Sequence, residues 1–316
     1  MKRFLTYLLQ FIAMPVIAFL FTFYFVRFDS NLSVLENLQA IDLTAELKEF
    51  SSDIKDSCIT MFTSEYDSEK RGEVIFEDPA YADNYYYSLL DNNGRIAYSK
   101  LYDAAKNLET YVTFHTSYET VEKAIQYFSY DYPEYFFLDI YNCECLIHNP
   151  GNVNEYVTME YKDENNDLEY MFYKDMFMSE NIVKNVEGLS TREGIKYIHD
   201  YIVKNTEYVS TAKYNQDVRS ALLNGETVCA GYAKMFKYLC DEAGYDCIYV
   251  AGQAYNGKST GRHAWNMVNI DGEYYWVDVT WDDCLDSKKY FLVSDEKFCE
   301  DHFADADLTL PVCSNN

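Results

Sequence analysis

Three residues with the chemistry of acyl transfer occur in order between positions 225 and 281: Cys229, His263 and Asp278. A cysteine can supply a nucleophilic thiolate, a histidine can remove and return its proton, and a carboxylate can orient the imidazole. Each residue by itself is more often structural, since an isolated cysteine usually behaves as a small buried hydrophobe. The set therefore predicts catalysis if local structure brings the three side chains together.

The cysteine lies at the start of a predicted helix. Apolar residues recur at steps of four and three, the spacing of one helix face, at Cys229, Ala233, Phe236, Cys240 and Ala243. Gly244 follows, as is typical of the residue that ends a helix. Cys229 is thus placed in the first turn, where the partial positive charge of the helix favours the thiolate form.

The histidine and the aspartate lie on a predicted β-hairpin. Two alternating, aromatic-rich runs, 263–270 and 273–281, are separated by Asp271-Gly272, which favours a two-residue type I′ turn. This turn predicts three cross-strand pairs: Ile270 with Glu273, Trp265 with Asp278, and His263 with Thr280. His263 and Asp278 then lie diagonally on one face, about 7 Å apart between backbones, within reach of a side-chain hydrogen bond.

Three motifs in this stretch resemble the catalytic core of the transglutaminase-like superfamily, in its bacterial branch. They are Val-Cys-x-Gly-Tyr-Ala at 228–233, His-Ala-Trp-Asn at 263–266 and Val-Asp-x-Thr-Trp-Asp-Asp at 277–283. The resemblance covers residues 190–300 and implies an α+β fold with a papain-like core, in which the helix carrying the cysteine packs on an antiparallel sheet. It also implies thioester chemistry by Cys229, His263 and Asp278, with no cofactor.

Other residues of these motifs are expected near the nucleophile. Gly231 and Tyr232 match the family motif, and the small Gly231 would let a substrate or a neighbouring backbone approach closely. Trp265 lies on the hairpin face of the histidine, where it could wall the site or fill the core. The backbone N–H of Cys229 is a natural oxyanion-hole donor, and Tyr208 is the candidate for a second donor.

The N-terminal segment predicts a membrane anchor. Residues 4–26 carry no charged side chain and are long enough to cross a bilayer as a helix. Lys2 and Arg3 precede them, and this positive charge predicts an N-terminus inside and a body outside the cell. We therefore predict a single-pass membrane protein with an extracellular C-terminal body. A cleaved signal peptide, and hence a secreted protein, is the alternative.

Length and pattern predict two folded parts behind this segment. A chain of 316 residues is longer than a domain with a single hydrophobic core usually is. We predict an anchor at 1–29, a stalk at 30–82, a smaller α/β unit without assigned chemistry at 83–180, and the catalytic domain at 181–316. Within the α/β unit, residues 135–141 are expected to form a buried strand, and residues 154–161 and 168–173 a hairpin.

Composition argues against several functions. A net charge of −26 would repel phosphate and disfavours nucleic-acid partners. Nine cysteines are an odd number, so at least one is unpaired within a monomer. Cys143, Cys145 and His148 lack the second ligand pair of a zinc site, and no metal is expected. His199 is expected to be a structural or a surface histidine, and His302 belongs to no motif.

These observations predict a cysteine-dependent enzyme whose substrate is a protein or a peptide, such as a peptide of the cell envelope. It would transfer or hydrolyse the acyl group of carboxamide or peptide bonds through a thioester. The alternative is a non-catalytic binding module with the same fold at the cell surface. A third interpretation, an envelope structural protein, rests on the unit at 83–180. The presence of all three triad residues favours the enzyme.

Overall fold

Helices and antiparallel strands make up the chain that a computed structural model describes, residues 81–152 and 155–313. The helices are Tyr85–Ser88 (α1), Asn92–Lys106 (α2), Tyr118–Asp131 (α3), Leu168–Val183 (α4), Thr191–Asn205 (α5), Val218–Asn224 (α6), Cys229–Glu242 (α7), Val279–Cys284 (α8) and Asp295–Phe298 (α9). The strands are Tyr111–Phe114 (β1), Glu144–His148 (β2), Tyr156–Glu160 (β3), Glu207–Tyr208 (β4), Glu226–Thr227 (β5), Cys247–Tyr255 (β6), Thr260–Ile270 (β7), Glu273–Val277 (β8), Phe291–Val293 (β9) and His302–Ala304 (β10). Short 3-10 turns span Phe136–Leu138 and Lys184–Val186.

Helix α7 packs on an antiparallel sheet that, in the described residues, has five strands in the order β10-β6-β7-β8-β9. The Asn266 side-chain amide of β7 donates to the Ala233 carbonyl of α7, at 3.0 Å. Strands β1, β3 and β2 form a second antiparallel sheet, and β4 pairs with β5 in parallel. The predicted α+β class, with the cysteine helix on an antiparallel sheet, is therefore confirmed.

The turn between β7 and β8 has the predicted form. Asp271 and Gly272 have φ values of 56° and 90°, and a type I′ turn requires positive φ at both central residues. The register follows from this turn, since Ile270 pairs with Glu273 as predicted.

The second strand of this hairpin ends earlier than predicted. Pairing stops at Val277, and Asp278 is the N-cap of α8. The Asp278 carboxylate accepts the N–H of Trp281 at 3.0 Å, which satisfies a donor that the first turn of a helix leaves free. The predicted continuation of the strand to residue 281 is therefore wrong, and residues 278 and 280 pair with no strand residue in the described chain.

Two strands predicted in the N-terminal part are helical instead. Phe136–Leu138 is a 3-10 turn, and the segment from Leu168 onward forms α4. The Asp163 carboxylate accepts the N–H groups of Asp167 and Leu168, at 2.9 and 3.3 Å. These bonds turn the chain into a helix where the second strand of a hairpin was expected. Strand β3 pairs with β1 and β2.

Helices α1 to α3 share an apolar core with the large sheet. Val250 and Trp265 of the sheet belong to the same buried cluster as the aromatic residues of these helices. The Tyr86 hydroxyl donates to the Tyr249 carbonyl at 2.7 Å, and the rings of Tyr130 and Tyr249 lie 4.5 Å apart. The described residues belong to a compact unit that spans Ile75–Asn316. The boundary between residues 180 and 181 stays a prediction.

The predicted localisation is corrected by the described structure. A membrane-spanning helix needs about 20 mostly apolar residues, and no helix in residues 81–152 and 155–313 has the length and apolar character required. The prediction of a single-pass membrane protein with an extracellular body is therefore wrong for the described chain. The predicted anchor at residues 1–29 and the predicted stalk up to residue 80 lie outside the described residues.

Candidate active site

Cys229 is the first residue of α7, as predicted. Close packing at this point depends on a glycine, because a Cβ atom at position 231 would lie 1.9 Å from Thr227 Oγ1. Thr227 Oγ1 in turn donates to the Asn215 carbonyl at 3.2 Å. Gly231 thus lets β5 lie against the first turn of α7.

The structure brings the three predicted catalytic residues together. His263 Nε2 lies 2.7 Å from Asp278 Oδ2, and the His263 and Cys229 side chains line the same two cavities. Asp278 is fully buried, whereas Cys229 is half-buried and reaches the surface of a cleft. The order thiol, imidazole and carboxylate is the one that nucleophilic acyl transfer requires.

Electrostatics favour the charged forms of the imidazole and the carboxylate. Burial acts to lower the pKa of His263, but Asp278 and Cys229 outweigh burial and raise the pKa to about 10. Burial likewise acts to raise the pKa of Asp278, but His263 and His302 hold this pKa at about 2. At neutral pH the pair is therefore an imidazolium and a carboxylate, and a cation beside a cysteine favours the thiolate.

Two cavities meet at the nucleophile. The larger, of 610 Å³, is lined by polar and aromatic residues that include Tyr208, Cys229, Arg262, His263, Thr280, Trp281, Lys289, Tyr290, Glu300 and Asp301. The smaller, of 220 Å³, is lined by residues of α3 and of the segment after it together with Cys229, Arg262 and His263. Because these three residues line both cavities, groups held on either side of Cys229 would lie next to the thiol.

Trp265, Tyr232 and Gly231, which were predicted to line the site, do not line either of the two cavities at Cys229. Trp265 is 1% exposed, and its ring lies 5.8 Å from the His263 ring. Tyr232 is buried in α7 and donates from its hydroxyl to Asp283 at 2.5 Å. Gly231 faces Thr227. These residues pack beneath and beside the catalytic side chains.

One residue that sequence reasoning missed is bound directly to the candidate triad. His302 of β10 lies with Nε2 3.0 Å from Asp278 Oδ2 and with Nδ1 2.7 Å from Asp301 Oδ1. It is brought there by the pairing of β10 with β6, and His302 lies opposite Ala254 in that register. No motif marks the residue, because the contact depends on this long-range strand pairing.

The residues at this point also have the composition of a metal site. Ligand atoms of His263, Asp278 and His302 lie within 4.8 Å of one another. These atoms are already joined by the two hydrogen bonds to Asp278 Oδ2, at 2.7 and 3.0 Å, so the geometry is that of a hydrogen-bonded cluster. The earlier zinc candidate is not assembled either, since Cys143 donates to the Phe137 carbonyl and His148 is bonded to Thr158.

His199, Asp282 and Asp200 form a second hydrogen-bonded group. His199 is 1% exposed, with Nε2 3.1 Å from Asp282 Oδ2 and Nδ1 3.0 Å from Asp200 Oδ1. Asp282 is fully buried and also accepts the N–H of Tyr290 at 2.9 Å. The group joins α5 to α8, so that of the two expected alternatives the structural one describes His199.

Comparison with known proteins finds a family model that matches the segment with Cys229, His263 and Asp278. Residues 178–280 match the model of the transglutaminase-like superfamily core. The kyphoscoliosis peptidases of Mus musculus and Homo sapiens are 33% and 32% identical over 143 residues, which cover 38% of this chain and 22% of each relative. The chain thus spans about a fifth of the length of these curated relatives.

Solved structures overlap this chain less closely. A transglutaminase crystal structure is 15% identical with a TM-score of 0.31, covering 43% of this chain and 44% of its own. A protein of Cytophaga hutchinsonii assigned as a cysteine protease is 16% identical with a TM-score of 0.33, covering 51% of this chain and 65% of its own. At these TM-scores the overlap carries no argument about function, which rests on the family match and on the geometry.

Proposed function

We propose, on the premise that residues 178–280 belong to the transglutaminase-like superfamily, that this protein is a cysteine-dependent enzyme acting on carboxamide or peptide bonds of proteins or peptides. Members of the superfamily include cysteine proteases and transglutaminases. The observation that carries the proposal is that His263 is hydrogen-bonded to Asp278 and lines the same two cavities as Cys229, the first residue of α7. The proposed roles are nucleophile for Cys229, acid and base for His263, and orienting group for Asp278.

The proposed reaction has two steps. The Cys229 thiolate attacks the carbonyl carbon of the substrate, the Sγ–C bond forms, and the C–N bond breaks as His263 donates its proton to the leaving nitrogen. Ammonia leaves from a carboxamide, and an amine leaves from a peptide bond. A second amine, or water, then gives its proton to His263 and attacks the thioester, which releases the acyl product and restores the thiolate.

The developing oxyanion needs hydrogen-bond donors beside the thiol. The backbone N–H of Cys229 is one proposed donor, and the Tyr208 hydroxyl remains the proposed second donor because Tyr208 lines the same cleft. Burial, and then the charges of Cys229 and Cys284, raise the pKa of Tyr208. This keeps its hydroxyl protonated and able to donate at neutral pH.

The two cavities support a reaction with two organic partners. In the proposed complex one cavity holds the acyl donor, and the other holds the leaving group or the incoming amine, so that both meet at Cys229. Residues 83–180 would then act as an accessory unit, since α3 lines the smaller cavity.

The first experiment measures the pH dependence of Cys229 alkylation by iodoacetamide in the full chain, followed by mass spectrometry of the Cys229 peptide. An activated nucleophile should be alkylated with a midpoint well below the value of about 8.5 for an ordinary thiol. His263→Ala should move the midpoint toward that value. Cys284, an exposed thiol whose pKa is raised by burial and by nearby acidic groups, is the internal reference in the same digest.

Turnover is then assayed with a glutamine-containing protein whose lysines are blocked. Incorporation of a fluorescent primary amine indicates transfer, release of ammonia without added amine indicates deamidation, and new peptide termini indicate hydrolysis. Cys229→Ala should abolish all three signals. If Cys229 reacts as an ordinary thiol and His263→Ala changes nothing, the enzyme proposal fails and the binding module becomes the better interpretation.

A further inference from the structure

We propose that His302, held as an imidazolium by Asp301, is a positioning residue for His263 and Asp278, and that its charge favours the thiolate form of Cys229. The inference rests on the proposed function of Cys229, His263 and Asp278 and extends it to a fourth and a fifth side chain.

The hydrogen bonds of His302 define its protonation. A neutral imidazole has one donor nitrogen and one acceptor nitrogen, and an ionised carboxylate can only accept. His302 places both nitrogens on carboxylates, Nε2 on Asp278 at 3.0 Å and Nδ1 on Asp301 at 2.7 Å. With both carboxylates ionised, each nitrogen donates, and this arrangement is the geometric basis of the proposed imidazolium.

The surroundings of His302 hold this cation in a fixed orientation without contact with bulk water. His302 is 2% exposed, and the Phe298 ring stacks on it at 4.0 Å. Four titratable groups face it: Asp278, Asp301, His263 at 5.7 Å between ring centroids, and Tyr290 at 5.3 Å. Further aromatic contacts come from Trp265 and Trp281. In such a dry cluster the interactions between charges are stronger than at the surface.

The cluster then balances two carboxylates with two imidazolium rings. Without the charge of His302, the Asp278 carboxylate would act on His263 alone, and the Cys229 thiolate would lose a nearby positive charge. At an effective dielectric constant of about 20, a unit charge about 10 Å away shifts a titration by about one pH unit. Removing the charge should therefore make the thiolate form at higher pH.

The hydrogen bonds of His302 and Asp301 also extend to the wall of the substrate cleft. Asp301 and Tyr290 line the larger cavity together with Cys229, and the Tyr290 hydroxyl donates to Asp301 Oδ2 at 2.8 Å. A continuous path of hydrogen bonds thus joins the cleft wall to the candidate base through Asp301, His302 and Asp278.

The test is the pH profile of Cys229 alkylation by iodoacetamide in the full chain, for the wild type, His302→Gln and Asp301→Asn. Glutamine can keep an N–H group toward Asp278 but removes the charge. We expect the midpoint to rise by about 0.5 to 1 pH unit in His302→Gln and by less in Asp301→Asn. The melting temperature of each variant is recorded, because a purely structural role would lower it without moving the midpoint.

His199→Gln is the matched control. His199 is equally buried and also lies between two aspartates, one of them its neighbour in sequence, but it is bonded to Asp282 and Asp200 and not to Asp278. This variant should leave the midpoint unchanged even if it lowers the melting temperature.

The outcomes separate this inference from the proposed function. If the wild type has a low midpoint and His302→Gln has the same midpoint, the inference is overturned and the proposed function is not. If His302→Gln does not fold, an unmoved midpoint in Asp301→Asn has the same meaning. If wild-type Cys229 titrates as an ordinary thiol and its midpoint is unchanged in His263→Ala, the proposed function fails and the inference fails with it.

Discussion

The Asp278 carboxylate serves the fold and the candidate chemistry at once. Its Oδ1 accepts the N–H of Trp281 and caps α8, while Oδ2 contacts His263 and His302. Removing this carboxylate would weaken the helix start, take from the buried His263 its carboxylate partner and leave His302 with Asp301 alone. A loss of activity in an Asp278 variant would therefore not separate the two roles, and His263 is the more informative residue to change.

We expect the contribution of His263 to stability to depend on pH. Its pKa of about 10 in the folded protein lies above the unfolded value of about 6.5, so this contribution is complete below pH 6.5 and is lost as pH rises through 10. His263→Gln should lower the free energy of unfolding by an amount on the order of a few kcal/mol near pH 6, and by much less near pH 10. Urea denaturation at the two pH values measures the difference.

The control for this prediction is His115→Gln, because His115 is exposed. It should have little effect at either pH. An equal loss of stability at both pH values in His263→Gln would mean that the charge of the imidazole contributes nothing to the fold.

At the scale of elements, the predictions succeeded where a few adjacent residues determine the structure. The apolar spacing from Cys229 onward defines α7, and Asp271-Gly272 defines the turn of the hairpin. The prediction failed at Asp278, because an aspartate can stand in a strand or cap a helix and the alternation of side chains does not distinguish these. His302 could not be predicted, since its place depends on the pairing of β10 with β6.

The entry of the chain into α7 gives a prediction for Gly231→Ala. A methyl group there would meet Thr227 Oγ1 at 1.9 Å, so β5 or the first turn of α7 must move. We expect the free energy of unfolding to fall by about 1–3 kcal/mol and the alkylation of Cys229 to slow. Urea denaturation and the iodoacetamide assay measure the two effects.

Two further variants make this experiment specific. Gly261→Ala is the control, because a Cβ there has no neighbour within 4 Å and little change is expected. Thr227→Ala combined with Gly231→Ala should recover part of the lost stability if the two side chains clash. Wild-type alkylation in Gly231→Ala would show that this packing does not position the thiol.

At the scale of the whole molecule, the candidate site extends beyond the segment that matches the family. The smaller cavity is lined by Gln126, Ser129 and Tyr130 of α3 as well as by Cys229. The three residues of α3 precede position 178, where the family match begins. Residues of the N-terminal part therefore shape the surroundings of the nucleophile, although no motif in their sequence indicates chemistry.

The net charge of −26 predicts a salt-dependent stability. Like charges repel one another in a compact chain, and dissolved salt screens this repulsion. The melting temperature at neutral pH should therefore rise by a few degrees between low salt and 0.5 M sodium chloride, as measured by calorimetry. The rise should shrink near pH 5, where part of the carboxylates are protonated. A melting temperature that falls with salt would mean that attractive ion pairs outweigh the repulsion.

Strand β10 has a consequence for handling shortened versions of the protein. It covers the outer side of β6, and it lies after position 280, where the family match ends. A fragment cut at the family boundary would leave β6 as an open sheet edge, and such an edge can pair with other molecules and aggregate. Insolubility of that fragment would therefore not by itself indicate a defect in the helix of the nucleophile.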